Sequence, residues 1–89
     1  MSFNFYYKEG TTIYVYLDSY FYKTSYGEGK GWPIRKVYDD EKDCFTINRV
    51  APLNRPCPYH ISGKYGDLGW VSPSAIKREV EYGFSYYDY

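Results

Sequence analysis

Short runs of alternating apolar residues, separated by glycine and proline, constrain the fold of this chain most. Apolar side chains alternate over residues 3–7 and again over residues 13–17, on either side of Glu9 and Gly10. Because successive side chains of a strand point to opposite faces, this alternation predicts strands with one buried face. The two runs and the glycine between them predict a β-hairpin at the start of the chain.

The supply of apolar side chains also favours strands. Aromatic residues make up 24% of the 89 residues, with 14 tyrosines, whereas alanine occurs only at Ala51 and Ala75. Aromatic and β-branched residues fit a pleated, half-buried surface, and alanine is the best helix former. We therefore predict an all-β fold without a helix longer than one turn.

Glycine and proline divide the first half of the chain. Residues 24–33 hold three glycines and end in proline, which predicts a long exposed loop. Alternation over residues 34–38 predicts a strand, and the charged residues 39–43 predict a hairpin turn. Residues 44–50 are then the returning strand.

The second half is divided in the same way. Residues 51–58 contain three prolines, so they predict a connection. Residues 59–61 and 68–71 predict short strands around a turn, and Ser72 and Pro73 suit the start of a single helical or 3₁₀ turn. The segment from Glu79 to Tyr89 is either one more strand or a frayed, tyrosine-rich tail. Five to seven short strands of this kind predict one small domain over residues 1–89, a barrel or sandwich, and closure of a barrel removes exposed edges at least cost.

Charge and hydropathy exclude several classes of protein. Eleven Lys and Arg residues balance 11 Asp and Glu residues, so no overall field attracts a polyanion, and binding to nucleic acid through phosphates is disfavoured. No run approaches the ~20 apolar residues of a membrane span, and the first residues lack the pattern of a signal peptide. We expect a protein that is made in the cytoplasm and does not bind a membrane.

Residue types needed for catalysis are scarce. His60 is the single histidine, and the spacing of Cys44 and Cys57 does not match a zinc site, so we predict no enzyme activity and no cofactor. Both cysteines are expected to be thiols. The acidic residues 39–43 are predicted to form a solvated turn, and the glycines of residues 27–31 lack the Gly-Lys-Ser/Thr sequence of a phosphate loop.

Four short motifs resemble those of a known family. They are Tyr-Gly-Glu-Gly-Lys-Gly at residues 26–31, Pro-Tyr-His-Ile at residues 58–61, Gly-Trp-Val at residues 69–71, and Ala75-Ile76. In this order they resemble the bacterial SH3-type domains of phage endolysins and Gram-positive cell-wall hydrolases. The combination is more specific than the Gly-Trp-Val sequence alone.

The resemblance covers about residues 12–77 and implies a small SH3-like β-barrel. It implies that residues 69–71 are the penultimate strand and that residues 72–76 form a turn leading into the last strand. This chain adds an aromatic N-terminal strand and a tyrosine-rich extension at residues 78–89. The resemblance also implies a phage or prophage source and a protein that binds a Gram-positive cell-wall peptide or polymer, at the wall after lysis.

Barrels of this type recognise extended ligands in grooves lined by aromatic rings, which cover a peptide at low entropic cost. A role in the core is the alternative for each aromatic candidate, and a structural role is the alternative for the histidine. Replacing Tyr26 or Trp32 with alanine is expected to release the protein from walls. The candidate ligand-binding residues are Tyr20, Tyr22, Tyr26, Trp32, Tyr59, His60, Tyr65 and Trp70.

A different class of function is also open. Fourteen tyrosines exceed what a thin core can bury with hydrogen-bond partners, and tyrosine is enriched at protein interfaces. The chain would then be a small phage inhibitor of a host defence or replication protein, or it would hold a small ligand by stacking. The aromatic residues 82–89 would mediate a homodimer, or they would form a closing strand beside residues 3–7. The cations available near a groove for a phosphate-bearing ligand are Arg35, Arg49, Arg55 and Lys64.

Overall fold

The computed structural model describes residues 6–81, which form an all-β fold with a five-stranded antiparallel sheet and a two-stranded ribbon. Two single-turn 3₁₀ helices, Ile34–Lys36 and Pro73–Ala75, connect strands. No helix within residues 6–81 has the length and apolar character needed to cross a lipid bilayer. The strands are β1 (Thr12–Val15), β2 (Tyr20–Phe21), β3 (Trp32–Pro33), β4 (Phe45–Val50), β5 (Tyr59–Gly63), β6 (Gly66–Val71) and β7 (Ile76–Glu79).

The strands of the large sheet lie in the order β6-β5-β4-β1-β7, and β2 and β3 form the ribbon. Alternation decides which face of the sheet is buried. Ile13 and Val15 of β1, Ile47 of β4 and Ile61 of β5 point inward, and their neighbours in sequence are more exposed. The core therefore lies on one face of the sheet, and the other face carries the polar and half-buried aromatic side chains.

Two buried tyrosines extend the core without leaving a polar group unsatisfied. Tyr38 and Tyr59 are each about 1% exposed. The hydroxyl oxygen of Tyr38 accepts a hydrogen bond from the backbone N–H of Tyr65 at 3.1 Å, and that of Tyr59 accepts one from Tyr7 at 3.3 Å. Because a buried hydroxyl without a partner is costly, these bonds allow the two rings to be packed inside.

The closed barrel expected from the sequence is not formed by the described strands. The large sheet is open, with β6 and β7 at its two edges. The outer edge of β6 is met by Tyr22, just after β2, through one isolated bridge to Trp70. The edge of β6 is therefore covered by the ribbon, and not by pairing with β7.

The hairpin predicted for the start of the chain is not formed by β1, which has other partners. β1 pairs with β4 on one side and β7 on the other, so both of its edges are occupied within the described chain. The preceding segment runs past β4, where the N–H of Gly10 donates to the carbonyl oxygen of Ile47 at 2.7 Å. Residues 1–5 and 82–89 lie outside the described residues, and so do the predictions of a terminal strand pair and of a dimer through the tail.

Residues 34–38 form a helical turn where alternation predicted a strand. Ile34 and Tyr38 are both buried, whereas Lys36 between them is exposed. The N–H of Tyr38 donates to the carbonyl oxygen of Ile34 at 2.9 Å. A spacing of four residues fits one face of a helix as well as it fits one face of a strand, and here the helical turn is the one that buries both side chains.

The long loop predicted for residues 24–33 ends early, because Trp32 and Pro33 pair with β2 as β3. The remaining connections follow the sequence prediction. The acidic segment is a turn in which Asp40 accepts a hydrogen bond from the N–H of Lys42, and residues 51–58 connect β4 to β5 without a strand. β6 is followed by the second 3₁₀ turn and then by β7, which begins at Ile76, three residues before the expected last strand. Cys44 is exposed and Cys57 is buried, both as free thiols, and burial raises the pKa of Cys57.

Candidate functional site

The ribbon is attached to the large sheet at one close contact. The N–H of Tyr22 donates to the carbonyl oxygen of Trp70 at 2.8 Å, and the N–H of Trp70 donates back at 2.9 Å. A Cβ atom on Gly69 would lie 2.8 Å from both the ring of Phe21 and the carbonyl oxygen of Tyr22. The ribbon can approach β6 this closely because residue 69 has no side chain.

The contact completes a row of four side chains across the outer face, which we call the cross-strand row: Arg49, His60, Trp70 and Tyr22. Arg49 on β4 is opposite His60 on β5, His60 is opposite Trp70 on β6, and Trp70 is opposite Tyr22. The imidazole meets the indole edge-on, with ring centroids 5.0 Å apart. The guanidinium carbon of Arg49 lies 5.3 Å from the centre of the same indole.

Two polar neighbours fix the proton of His60. Asn48 donates from its amide nitrogen to Asp67 at 3.1 Å, so its amide oxygen faces Nδ1 of His60 at 2.7 Å. Nδ1 must therefore carry the proton, which leaves Nε2 as an acceptor while the ring is neutral. Burial lowers the pKa of His60 from 6.5, and nearby Arg49 lowers it further, against the opposite effect of Asp67. The row thus combines a hydrogen-bond acceptor, guanidinium donors and aromatic rings.

This geometry predicts how stability depends on pH. Because the pKa of His60 is lower in the folded protein than in the unfolded chain, the unfolded chain binds more protons between the two values. We expect the melting temperature to fall as pH decreases from 7 through the lowered pKa, and to fall less in the His60→Gln variant. Thermal melts of both proteins from pH 7.5 to 5 test this, and parallel curves for the two would contradict it.

Tyr20 and Trp32, two of the predicted ligand contacts, lie on opposite faces of the ribbon. A Cβ atom on Gly31 would meet the ring of Tyr22 and the Cβ of Tyr20, so these tyrosines share the face that continues the cross-strand row. Trp32 stacks instead on Phe21, with centroids 6.1 Å apart, on the other face. Alternation along the ribbon therefore separates Trp32 from the row.

The remaining predicted contacts lie elsewhere. Tyr26 packs on the guanidinium of Arg55, in the loop between β2 and β3. Tyr59 is buried in the core, and Tyr65 is 67% exposed at the turn between β5 and β6, where it packs on Tyr38. The structure brings together, from the predicted set, Tyr20, Tyr22, His60 and Trp70.

Three polar residues of the site follow less directly from the sequence. Arg49 is one of the cations expected near a groove, whereas the sequence carries no signal for the supporting roles of Asn48 and Asp67. A register shift in β4 between Ile47 and Arg49 leaves Asn48 without a pairing partner in the ladder. A bulge of this kind re-aims side chains, and nothing in the local sequence marks it.

Within the described part of the chain, no three His, Cys, Asp or Glu side chains are placed to hold a metal ion. Comparison with known proteins finds no matching family model, no matching curated protein and no matching solved structure. Inference about function therefore depends on the chemistry of the cross-strand row and on the motifs of the sequence.

Proposed function

We propose that this protein is a non-enzymatic binding module that holds a Gram-positive cell-wall peptide or polymer against the cross-strand row. The observation that carries the proposal is the alignment of Arg49, His60, Trp70 and Tyr22 across neighbouring strands. An extended ligand lying along this row would meet aromatic surface and polar groups in succession, which is how grooves on small β-domains recognise peptides.

The polar groups of the row are available to a ligand. Within residues 6–81, no carboxylate lies within 4.0 Å of a nitrogen of Arg49, whereas Arg35 is paired with Asp18 and Glu41. The guanidinium is held over the indole of Trp70, and its planar donors suit carbonyl and carboxylate oxygens. A ligand therefore meets donors that are already positioned, which lowers the entropic cost of binding.

The order of elements supports the choice of ligand class. The glycine-rich residues 26–31 form the loop of the ribbon, residues 69–71 end β6, and a single turn leads from there into β7. This is the arrangement implied by the resemblance to bacterial SH3-type domains. On this proposal the chain comes from a phage or prophage and acts at the cell wall after lysis.

The proposal predicts that Trp70→Ala releases the protein from walls. Loss of a central aromatic anchor costs about 2 kcal/mol or more, which is roughly 30-fold in affinity. The measurement is co-sedimentation with washed Gram-positive cell walls, compared with an unrelated β-domain of similar charge. Trp32→Ala, which the sequence alone predicted to release the protein, is here the matched control, because it removes an indole that lies on the face of the ribbon away from the row. Equal binding by both variants and the parent protein would contradict the proposed site, and no saturable binding by the parent would contradict the ligand class.

A protein partner is the second candidate function, because exposed tyrosines are spread over several elements. Tyr6, Tyr16, Tyr20, Tyr26 and Tyr65 are each between 48% and 67% exposed. Such rings are typical of protein interfaces, as expected for a phage inhibitor of a host defence or replication protein. Absence of wall binding together with stoichiometric capture of one host protein would favour this function.

A further inference from the structure

The loop between β2 and β3 is fastened to the proline-rich loop between β4 and β5. The N–H of Cys57 donates to the carbonyl oxygen of Ser25 at 2.9 Å. Gly27 has a φ of +66°, and a Cβ atom there would lie 3.0 Å from the sulfur of Cys57. The two loops therefore meet in a close contact, which the absence of a side chain at residue 27 allows.

Arg55 makes three contacts at this junction. Its guanidinium carbon lies 4.3 Å from the centre of the Tyr26 ring, and Nη1 donates to the hydroxyl oxygen of Ser25 at 2.9 Å. Ser25 is only 5% exposed, so its hydroxyl is a fixed acceptor. The backbone N–H of Arg55 donates to the carbonyl oxygen of Pro52 at 3.0 Å, which fixes the main chain as well.

This guanidinium has no counter-ion within residues 6–81, where no carboxylate lies within 4.0 Å of its nitrogens. A guanidinium carries five N–H donors, and the hydroxyl of Ser25 accepts from one nitrogen. Holding a long, charged side chain in one position costs side-chain entropy. An arginine that is already positioned and has N–H donors without a partner can bind an anion through two parallel hydrogen bonds.

The cleft around Arg55 indicates what kind of anion fits. It has a volume of about 400 Å³ and is lined by Tyr26, Pro52, Asn54, Arg55 and Pro56. The prolines and the ring offer apolar surface for an aliphatic side chain, and the amide of Asn54 can both donate to and accept from a peptide group. Arg55 is the one cation among the lining residues. A single planar guanidinium matches one carboxylate, whereas polyphosphate chains are bound by several cations.

We propose that this cleft binds the terminal carboxylate of a peptide, with Arg55 forming a forked pair to the carboxylate oxygens. The inference rests on the proposed function and deepens it, because it names the peptide end as the part of the ligand that is anchored at the loop joining β4, which carries Arg49, to β5, which carries His60. Tyr26 and Ser25 act by positioning the guanidinium, and Asn54 by contacting the last peptide group.

The test uses the full chain and small probes of defined chemistry. Backbone amide resonances of the ¹⁵N-labelled protein are followed during titration with N-acetyl-Ala-Ala, with its C-terminal carboxamide, and with glycerol phosphate. We expect the acid to shift amides of residues 51–58 saturably and to bind at least about tenfold more tightly than the carboxamide, since a charged hydrogen-bonded pair is lost in the latter. Equal binding of acid and carboxamide, or tighter binding of glycerol phosphate, would overturn the proposal.

Variants of Arg55 distinguish two-point hydrogen bonding by the planar guanidinium from the effect of positive charge alone. Arg55→Lys keeps the charge but loses the planar donors, and we expect it to bind the acid about tenfold more weakly, as Arg55→Gln does. Arg78→Gln is the control, because Arg78 also lies over a ring, that of Tyr14 at 4.5 Å, but on β7 and β1 and not in the loop between β4 and β5. Unchanged binding of the acid by folded Arg55→Gln would overturn the site.

The experiments can reject the carboxylate site and the wall-binding function independently of each other. If the acid does not bind but wall binding still depends on Trp70, the carboxylate site is wrong and the proposed function is retained. If the acid binds through Arg55 while walls are not bound, the carboxylate site is supported and the wall ligand is wrong.

Discussion

Replacing Gly63 with alanine is expected to lower the free energy of unfolding by about 2–4 kcal/mol, because the new methyl group has no space. A Cβ atom there would lie 2.5 Å from the hydroxyl oxygen of Tyr38, 2.9 Å from its ring and 3.0 Å from the ring of Phe45. Tyr38 cannot move away cheaply, since its ring is buried and its hydroxyl accepts a hydrogen bond from the N–H of Tyr65.

Thermal and urea denaturation measure this effect, and a loss of that size corresponds to roughly 8–30 °C in melting temperature for a domain of this length. Tyr38→Phe provides the internal control, because it removes the oxygen that the methyl group meets first. In a double-mutant cycle, we expect Gly63→Ala to cost less in the Tyr38→Phe background than in the parent. Additive effects of the two substitutions would show that the contact with the hydroxyl of Tyr38 is not the cause.

The strands and connections could largely be predicted from the sequence because their signals are local. Alternation around Ile13 and around Ile61 marks inward-facing residues, and three prolines exclude a strand from residues 51–58. The partners of β1 could not be predicted in this way. Strand pairing is a contact between distant segments, and the short separation of residues 3–7 and 13–17 favoured a hairpin that the pairing of β1 with β4 and β7 replaces.

Part of the candidate site could be predicted, because alternate side chains of a strand point to opposite faces and only one face is exposed. His60 lies between the inward-facing Tyr59 and Ile61, so the same alternation that predicts the strand also implies that Tyr59 is buried and His60 is not. The neighbours of His60 across the sheet depend on register. Asn48 reaches the imidazole from a bulged position in β4, and Tyr22 joins the row only through its bridge to Trp70.

That bridge depends on Gly69, and Gly69→Ala is expected to detach the ribbon from β6 and to abolish wall binding while the large sheet remains folded. The added Cβ would lie 2.8 Å from the backbone oxygen of Tyr22, which is part of the bridge itself. Because backbone cannot turn aside as a side chain can, the contact must open. We expect a loss of about 1–3 kcal/mol in the free energy of unfolding, as for other overpacked sites.

Gly31→Ala is the matched comparison, since its Cβ would also lie 2.8 Å from a neighbour, in this case the outer end of the Tyr22 ring. The Tyr22 ring can rotate, and the other close neighbour, the Cβ of Tyr20 at 2.9 Å, belongs to the ribbon itself, so the bridge to Trp70 should persist in this variant. Amide hydrogen exchange at Tyr22 and Trp70 distinguishes the two: protection is lost in Gly69→Ala and kept in Gly31→Ala. If Gly69→Ala lost protection at both amides but still co-sedimented with walls, the ligand would not need the row to extend beyond Trp70, and the site would end at β6. If Gly69→Ala kept protection at both amides, the ribbon would tolerate a side chain at residue 69, and the bridge would not depend on glycine there.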